Sequence, residues 1–137
     1  MFFNKQKVNN EIDELIKVAA LLIHAAKIDE DYTIQEEEII TKALLKFGAT
    51  TNNVKKIIDD GKNIEKNSNQ ILEFTKEVKK MGEKKKIDMI ETLWKIIYSN
   101  NSADDYETNL MRRLAGLLYI DNKMIGDIKE KIKKEIL

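Results

Sequence analysis

Six carboxylates crowd the ten residues from Asp29 to Glu38, in the order Asp29, Glu30, Asp31, then Glu36, Glu37 and Glu38. Clustered side-chain oxygens are what a hard divalent cation needs, about six to eight of them for calcium. Asp29, Asp31 and Glu36 are the candidate ligands. The stretch is not an EF-hand. Counted from Asp29, Asp31 and Thr33 fit the early positions, but Ile34 stands where that loop needs Gly and Ile40 where it needs a bidentate Glu. The same residues have a structural reading. Thr33 and Glu36 have the T-x-x-E spacing of a capping box. Acidic side chains in a first helical turn favour the positive end of the helix dipole by about 0.3–1 kcal/mol each. The cation and the cap both remain open on the residues alone.

A second polar stretch runs from Asn100 through Asn101, Ser102, Ala103, Asp104, Asp105 and Tyr106 to Glu107. Asn100 and Glu107 make it a weaker candidate, because a neutral amide oxygen attracts a cation less than a carboxylate does. His24 is the lone imidazole and lies five residues before Asp29. With no second His, a hydrogen-bonded histidine on a helix surface is the expected role. Nucleophile chemistry has no support: there is no Cys, no G-x-S-x-G and no Gly-rich phosphate loop. The chain therefore reads as a non-enzyme.

Helices must position these residues. The chain has 137 residues, no Pro, no Cys and five Gly, with 42% hydrophobic and 35% charged residues. Lys and Arg together match Asp and Glu, 24 against 24. That balance lacks the basic excess of a nucleic-acid binder, so no nucleic-acid partner is expected. The densest basic stretch, Lys76 to Lys86, is diluted by Glu77 and Glu83 and reads as a solvated helix end and turn. The longest apolar run, Val18 to Ile23, falls far short of the roughly 20 residues that span a bilayer. No transmembrane segment is expected, and the cytoplasm is the default location. Hydrophobic spacing predicts an all-α, single-domain bundle of about seven helices with a core from about residue 8 to 136. The helices are expected near 5–27, 33–47, 52–65, 68–81, 83–98, 104–118 and 121–137. The first and fifth are apolar on nearly all sides and should lie centrally. Gly48 suits a left-handed C-cap, and Asp104 with Glu107 repeats the capping-box spacing.

A shift of 71 residues superimposes the first two helices on the fifth and sixth. Ile16 falls on Ile87, Leu22 on Leu93, Ile23 on Trp94, Thr33 on Asp104, Glu36 on Glu107 and Phe47 on Leu118. Two pseudo-symmetric helical hairpins follow, each a buried helix, a polar loop and an amphipathic helix.

The stretch from Ala20 to Asp29 with Glu36, and the stretch from Leu93 to Asn101 with Glu107 and Met111 to Leu118, resemble the TerB-like family. That family's fold is shared by the N-terminal domain of the DnaJ-like co-chaperone DjlA. Its loops read approximately A-D-G-x-x-x-x-x-E before a helix, and the resemblance covers about residues 10 to 130. It implies an all-α bundle, a divalent cation held by acidic loop residues, and a role in stress responses or protein complexes. Carried over, the cation falls to Asp29 and Glu36, and to Asn100 and Glu107. The sequence departs from the pattern at Glu30 and Asn101, where Gly is expected, and at Asn100, where Asp is expected. Two functions follow as expectations. One is a non-catalytic module that binds a divalent cation or presents a helical surface to a protein partner. The other is a metal-free interaction domain whose acidic loops only cap helices.

Overall fold

A helix without a polar face has to be surrounded by others. The computed structural model, which describes residues 2–27, 33–67, 72–99 and 105–136, shows how this chain does it. Among the described residues it forms seven helices and no strand. They are α1 (Phe2–Ala26), α2 (Ile34–Lys46), α3 (Val54–Asn67), α4 (Leu72–Lys79), α5 (Glu83–Tyr98), α6 (Asp105–Leu118) and α7 (Asn122–Ile136). The spacing of apolar residues placed all seven to within a few residues. Val18 to Ile23 of α1 are completely buried, and α2, α3, α4 and α5 all pack against that helix. Met89, Ile90, Leu93, Ile96 and Ile97 do the same for α5. Both helices sit in the centre, as their girth of apolar residues requires.

Side-chain pairs fix the directions. Glu37 at the start of α2 meets Lys62 near the end of α3 at 2.8 Å, and Lys46 at the end of α2 meets Asp88 early in α5 at 3.2 Å. Lys27 just past α1 meets Glu65 near the end of α3 at 2.8 Å. Lys79 at the end of α4 reaches Tyr119 just past α6, and Lys86 in α5 reaches the Leu118 carbonyl. Helices therefore alternate along the bundle. Helices α1, α3 and α5 finish at one end, and the turns after α2, α4 and α6 lie at the other.

The repeat extends further than the two hairpins. The same shift of 71 residues puts Val54, Ile57 and Gly61 of α3 on Ile125, Ile128 and Ile132 of α7, and all six are buried. It also equates the turns. Ala49 donates to the Leu44 carbonyl and Gly48 to that of Leu45, closing α2 in a Schellman motif. Ile120 and Tyr119 make the corresponding bonds to Ala115 and Gly116 at the end of α6. The two halves are not copies in their packing. A Cβ at Gly61 would lie 2.9 Å from the Ala19 Cβ and 3.2 Å from the Ala20 backbone nitrogen, so α3 rides directly on α1. The second half has Ile90 and Ile132 at the positions of Ala19 and Gly61. Helix α7 packs on α5 less extensively than α3 does on α1, and α6 packs mainly on α4 and α7.

Trp94 closes the second half. It is 2% exposed, its indole Nε1 donates to the Ile125 carbonyl at 3.2 Å, and its ring stacks on Tyr98 with centroids 5.9 Å apart. Trp94→Ala is expected to cost about 3–5 kcal/mol in a denaturant titration, as truncation of a filled core site does. A cost below about 1 kcal/mol would contradict its central placement. Gly61→Ala provides the opposite kind of check. In an open helix that change gains roughly 1 kcal/mol. Here the added methyl meets Ala19 and the α1 backbone, so a loss of about 1–3 kcal/mol is expected, partly recovered by Ala19→Gly in the same chain.

Candidate functional site

The candidate ligand Glu36 lies at the end of the bundle where α1 and α3 finish. Thr33 takes an extended conformation and its Oγ1 accepts the Glu36 N–H at 3.1 Å. The Glu36 Oε1 accepts the Thr33 N–H at 2.8 Å, which completes the capping box expected from the T-x-x-E spacing. Glu36 is nevertheless an unusual cap acid, because it is only 1% exposed. It sits on the third residue of α2 with its side chain turned toward the core, where Ile40, Ala43 and Leu44 of the same helix are buried. Burying a carboxylate costs several kcal/mol unless charge or hydrogen bonds compensate it.

Ion pairs tie the flanking helices together. The Glu65 carboxylate, largely shielded from solvent, accepts from Lys27 Nζ at 2.8 Å through Oε2. His24 Nδ1 lies 3.4 Å from its Oε1. His24 is thus the hydrogen-bonded helix-surface histidine that the sequence suggested, and its partner comes from α3. Lys27 stands just past the last turn of α1, where the helix dipole favours positive charge. Lys62 and Glu37 join α3 to α2 in the same region.

The other predicted ligands stand differently. Asp29, Asp31 and Asn100 lie outside the described residues, as does Asp104 of the second capping box. Glu107 belongs to the first turn of α6, and its side chain is outside the described set. Among the described residues no group of three or more His, Asp or Glu side chains is arranged to hold a metal. Arg112 and Arg113 are exposed on α6.

Sequence reasoning missed Glu65 and the Lys62–Glu37 pair. It also missed a groove of about 530 Å³ between α2 and α3, lined by Ile34, Thr41, Val54, Ile58 and Lys62 among others. Ile34, at its mouth, is 78% exposed. A single signal pointed there: a large apolar residue directly after an N-cap, outside the buried stripe of its helix. Among the described residues no helix is long and apolar enough to cross a membrane.

A family model described as "Tellurite resistance protein TerB" matches residues 15–130. No curated protein and no solved structure matches the chain.

The capping box has a direct test. Thr33→Ala should cost about 1 kcal/mol of unfolding free energy. Combined with Glu36→Ala, the loss should fall short of the sum of the single losses by about 0.5 kcal/mol or more, because the two side chains cap each other. Strict additivity would mean that the box contributes nothing as a unit.

Proposed function

The chain belongs to the TerB family, and from that premise we propose that it is a non-catalytic helical module that takes a divalent cation where α1 gives way to α2. The observation that carries this reading is the Glu36 carboxylate, 1% exposed at the head of α2 and oriented by the Thr33 N–H. The chain between Lys27 and Thr33 supplies Asp29, Glu30 and Asp31 within a few residues of it. This donor set is all oxygen. Oxygen donors favour Mg²⁺, Ca²⁺ or Mn²⁺ over softer ions. Asn100 and Glu107 form the corresponding, less charged position in the second half. The family description points to a stress-response setting. There a module without reaction chemistry would act by changing its stability or surface when the ion binds, and so its hold on a partner.

A second reading has its own observation. The capping box already gives Glu36 a structural task, and the exposed Ile34 opens the α2–α3 groove to a protein partner without any metal. In that case the acidic segment only caps its helix.

Thermal melts with Mg²⁺, Ca²⁺, Mn²⁺ or Zn²⁺ separate the two. An ion present at about 100 times its dissociation constant should add about 2.7 kcal/mol, a rise in Tm of about 9 °C for a chain of this size. Asp29→Asn with Asp31→Asn should abolish that rise while leaving the Thr33–Glu36 box and the ion-free stability intact. An absence of any shift at millimolar ion, or an equal shift in the variant, would leave the metal-free reading standing.

A further inference from the structure

The side of α2 that looks away from the core carries an unexplained pattern. Glu36, Ile40, Ala43 and Leu44 make the buried stripe of that helix. On the opposite side Ile34, Glu38, Thr41, Lys42 and Leu45 recur at helical spacing and share one outer stripe. Of the four large apolar side chains exposed among the described residues, two lie on this stripe, Ile34 at its start and Leu45 at its end. Glu38 and Lys42 between them are exposed, and among the described residues neither is in an ion pair.

The α2–α3 groove runs along the flank of this stripe, since Ile34, Glu38, Thr41 and Lys42 all line it, with Val54 and Ile58 on its α3 side. The two helices are antiparallel, because Glu37 meets Lys62. Leu45 lies eight residues after Glu37, and Val54 lies eight before Lys62. Leu45 and Val54 therefore stand level, at the end of the groove away from Ile34.

The stripe is complementary to itself when turned end for end. Ile34 and Leu45 are centred between Ile39 and Ile40, and Glu38 and Lys42 are centred on Ile40. The two centres differ by half a residue, about 0.8 Å along a helix. One twofold axis crossing α2 at that level thus sets apolar on apolar and carboxylate on ammonium together. A twofold axis along the helix would instead set Glu38 on Glu38 and Lys42 on Lys42. A chain of zero net charge also has no overall repulsion between copies.

We propose that the outer stripe of α2 docks on the same stripe of a second copy of this chain, antiparallel, about a twofold axis crossing α2 near Ile40. Ile34 of each copy then sits on Leu45 of the other, at the Val54 end of its groove, and Glu38 of each pairs with Lys42 of the other. Such a contact is isologous and closes at two copies. It deepens the metal-free reading above, in which a protein enters the α2–α3 groove, by naming that protein as this chain. A stripe of three turns is smaller than a standard interface of about 800 Å² per partner, so a dimer of micromolar or weaker affinity is expected.

The test is sedimentation velocity of the full chain from micromolar to millimolar concentration, in EDTA and again in Mg²⁺. A monomer–dimer equilibrium in both is expected. Ile34→Asp should weaken it by about a hundredfold or more, since two apolar contacts are lost. Its Tm should hold, because Ile34 is exposed and an acid is favoured in the first turn of a helix. Glu38→Lys alone and Lys42→Glu alone should each weaken the dimer by about tenfold at low salt. An equimolar mixture of those two variants should recover it, because each changed residue then faces an opposite charge on the other copy. A merely structural Glu38–Lys42 pair would recover only with both changes in one chain. A dimer that needs Mg²⁺, with the variants behaving as stated, would uphold this interface and overturn the metal-free reading. A monomer at millimolar concentration in both buffers would overturn the proposal and leave the groove to a different protein. A dimer indifferent to Ile34→Asp, or a mixture that does not recover, would overturn it as well.

Discussion

Helix α1 has no polar face between Val18 and Ile23, and that fact constrains every other element. Each large apolar side chain buried there contributes about 1.5–3 kcal/mol, so the helix is stable only when covered on all sides. Four helices cover it, and α3 comes closest because Ala19, Ala20 and Gly61 present almost no side-chain volume between the two backbones. Once α3 lies parallel to α1 at that contact, the helical spacing carries Glu65 to the end of α1, beside His24 and Lys27. It also carries Lys62 to the head of α2, against Glu37. The charged contacts at this end of the bundle thus follow from a close approach between small residues no more than about two turns away.

The repeat shows which parts of a three-helix unit tolerate change. Burial is kept where the sequence is not: Ala19 and Ile90, Ile23 and Trp94, and Gly61 and Ile132 are buried pairs of very different volume. The second half carries the larger side chains with a less extensive α5–α7 contact, and α4 is the main neighbour of α6. The terminating turns keep their hydrogen bonds in both halves. Backbone bonds depend on chain path and little on side-chain size, so Gly48 could give way to Tyr119 without loss of the motif, at the expense of strain alone.

The helices and the first capping box were legible because their signals are local. Apolar residues recur at helical spacing, and Thr33 and Glu36 cap each other across three residues. What escaped reading is non-local. Glu65 lies 41 residues from His24, and Lys62 lies 25 from Glu37, so no window of sequence contains both partners. Gly61 looked like any glycine on a helix until its contact with Ala19 showed why no side chain fits. The third helix of the repeat was present in the pattern: Val54, Ile57 and Gly61 fall on Ile125, Ile128 and Ile132 at the same shift as the hairpins. It was hidden because glycine and isoleucine do not look equivalent without the packing that makes them so. Tyr119 gave no local signal, since tyrosine is not a residue that marks a left-handed cap.

The zero net charge conceals an axis. Alternating helix directions put the acidic segment and the Lys79–Lys86 region at opposite ends of the bundle. The two ends differ in how well the fold accounts for their charges. Glu36 and Glu37 stand in the first turn of α2, where the dipole and the capping box both favour carboxylates. Lys27 stands at the end of α1, where positive charge is favoured and Glu65 pairs with it. At the other end the local energetics run the wrong way. Lys84 and Lys85 oppose the dipole of α5, and Tyr119 occupies a glycine conformation. Folding alone would select against both features. Tyr119 stands where the matching turn has Gly48, so its side chain is not there to satisfy the backbone.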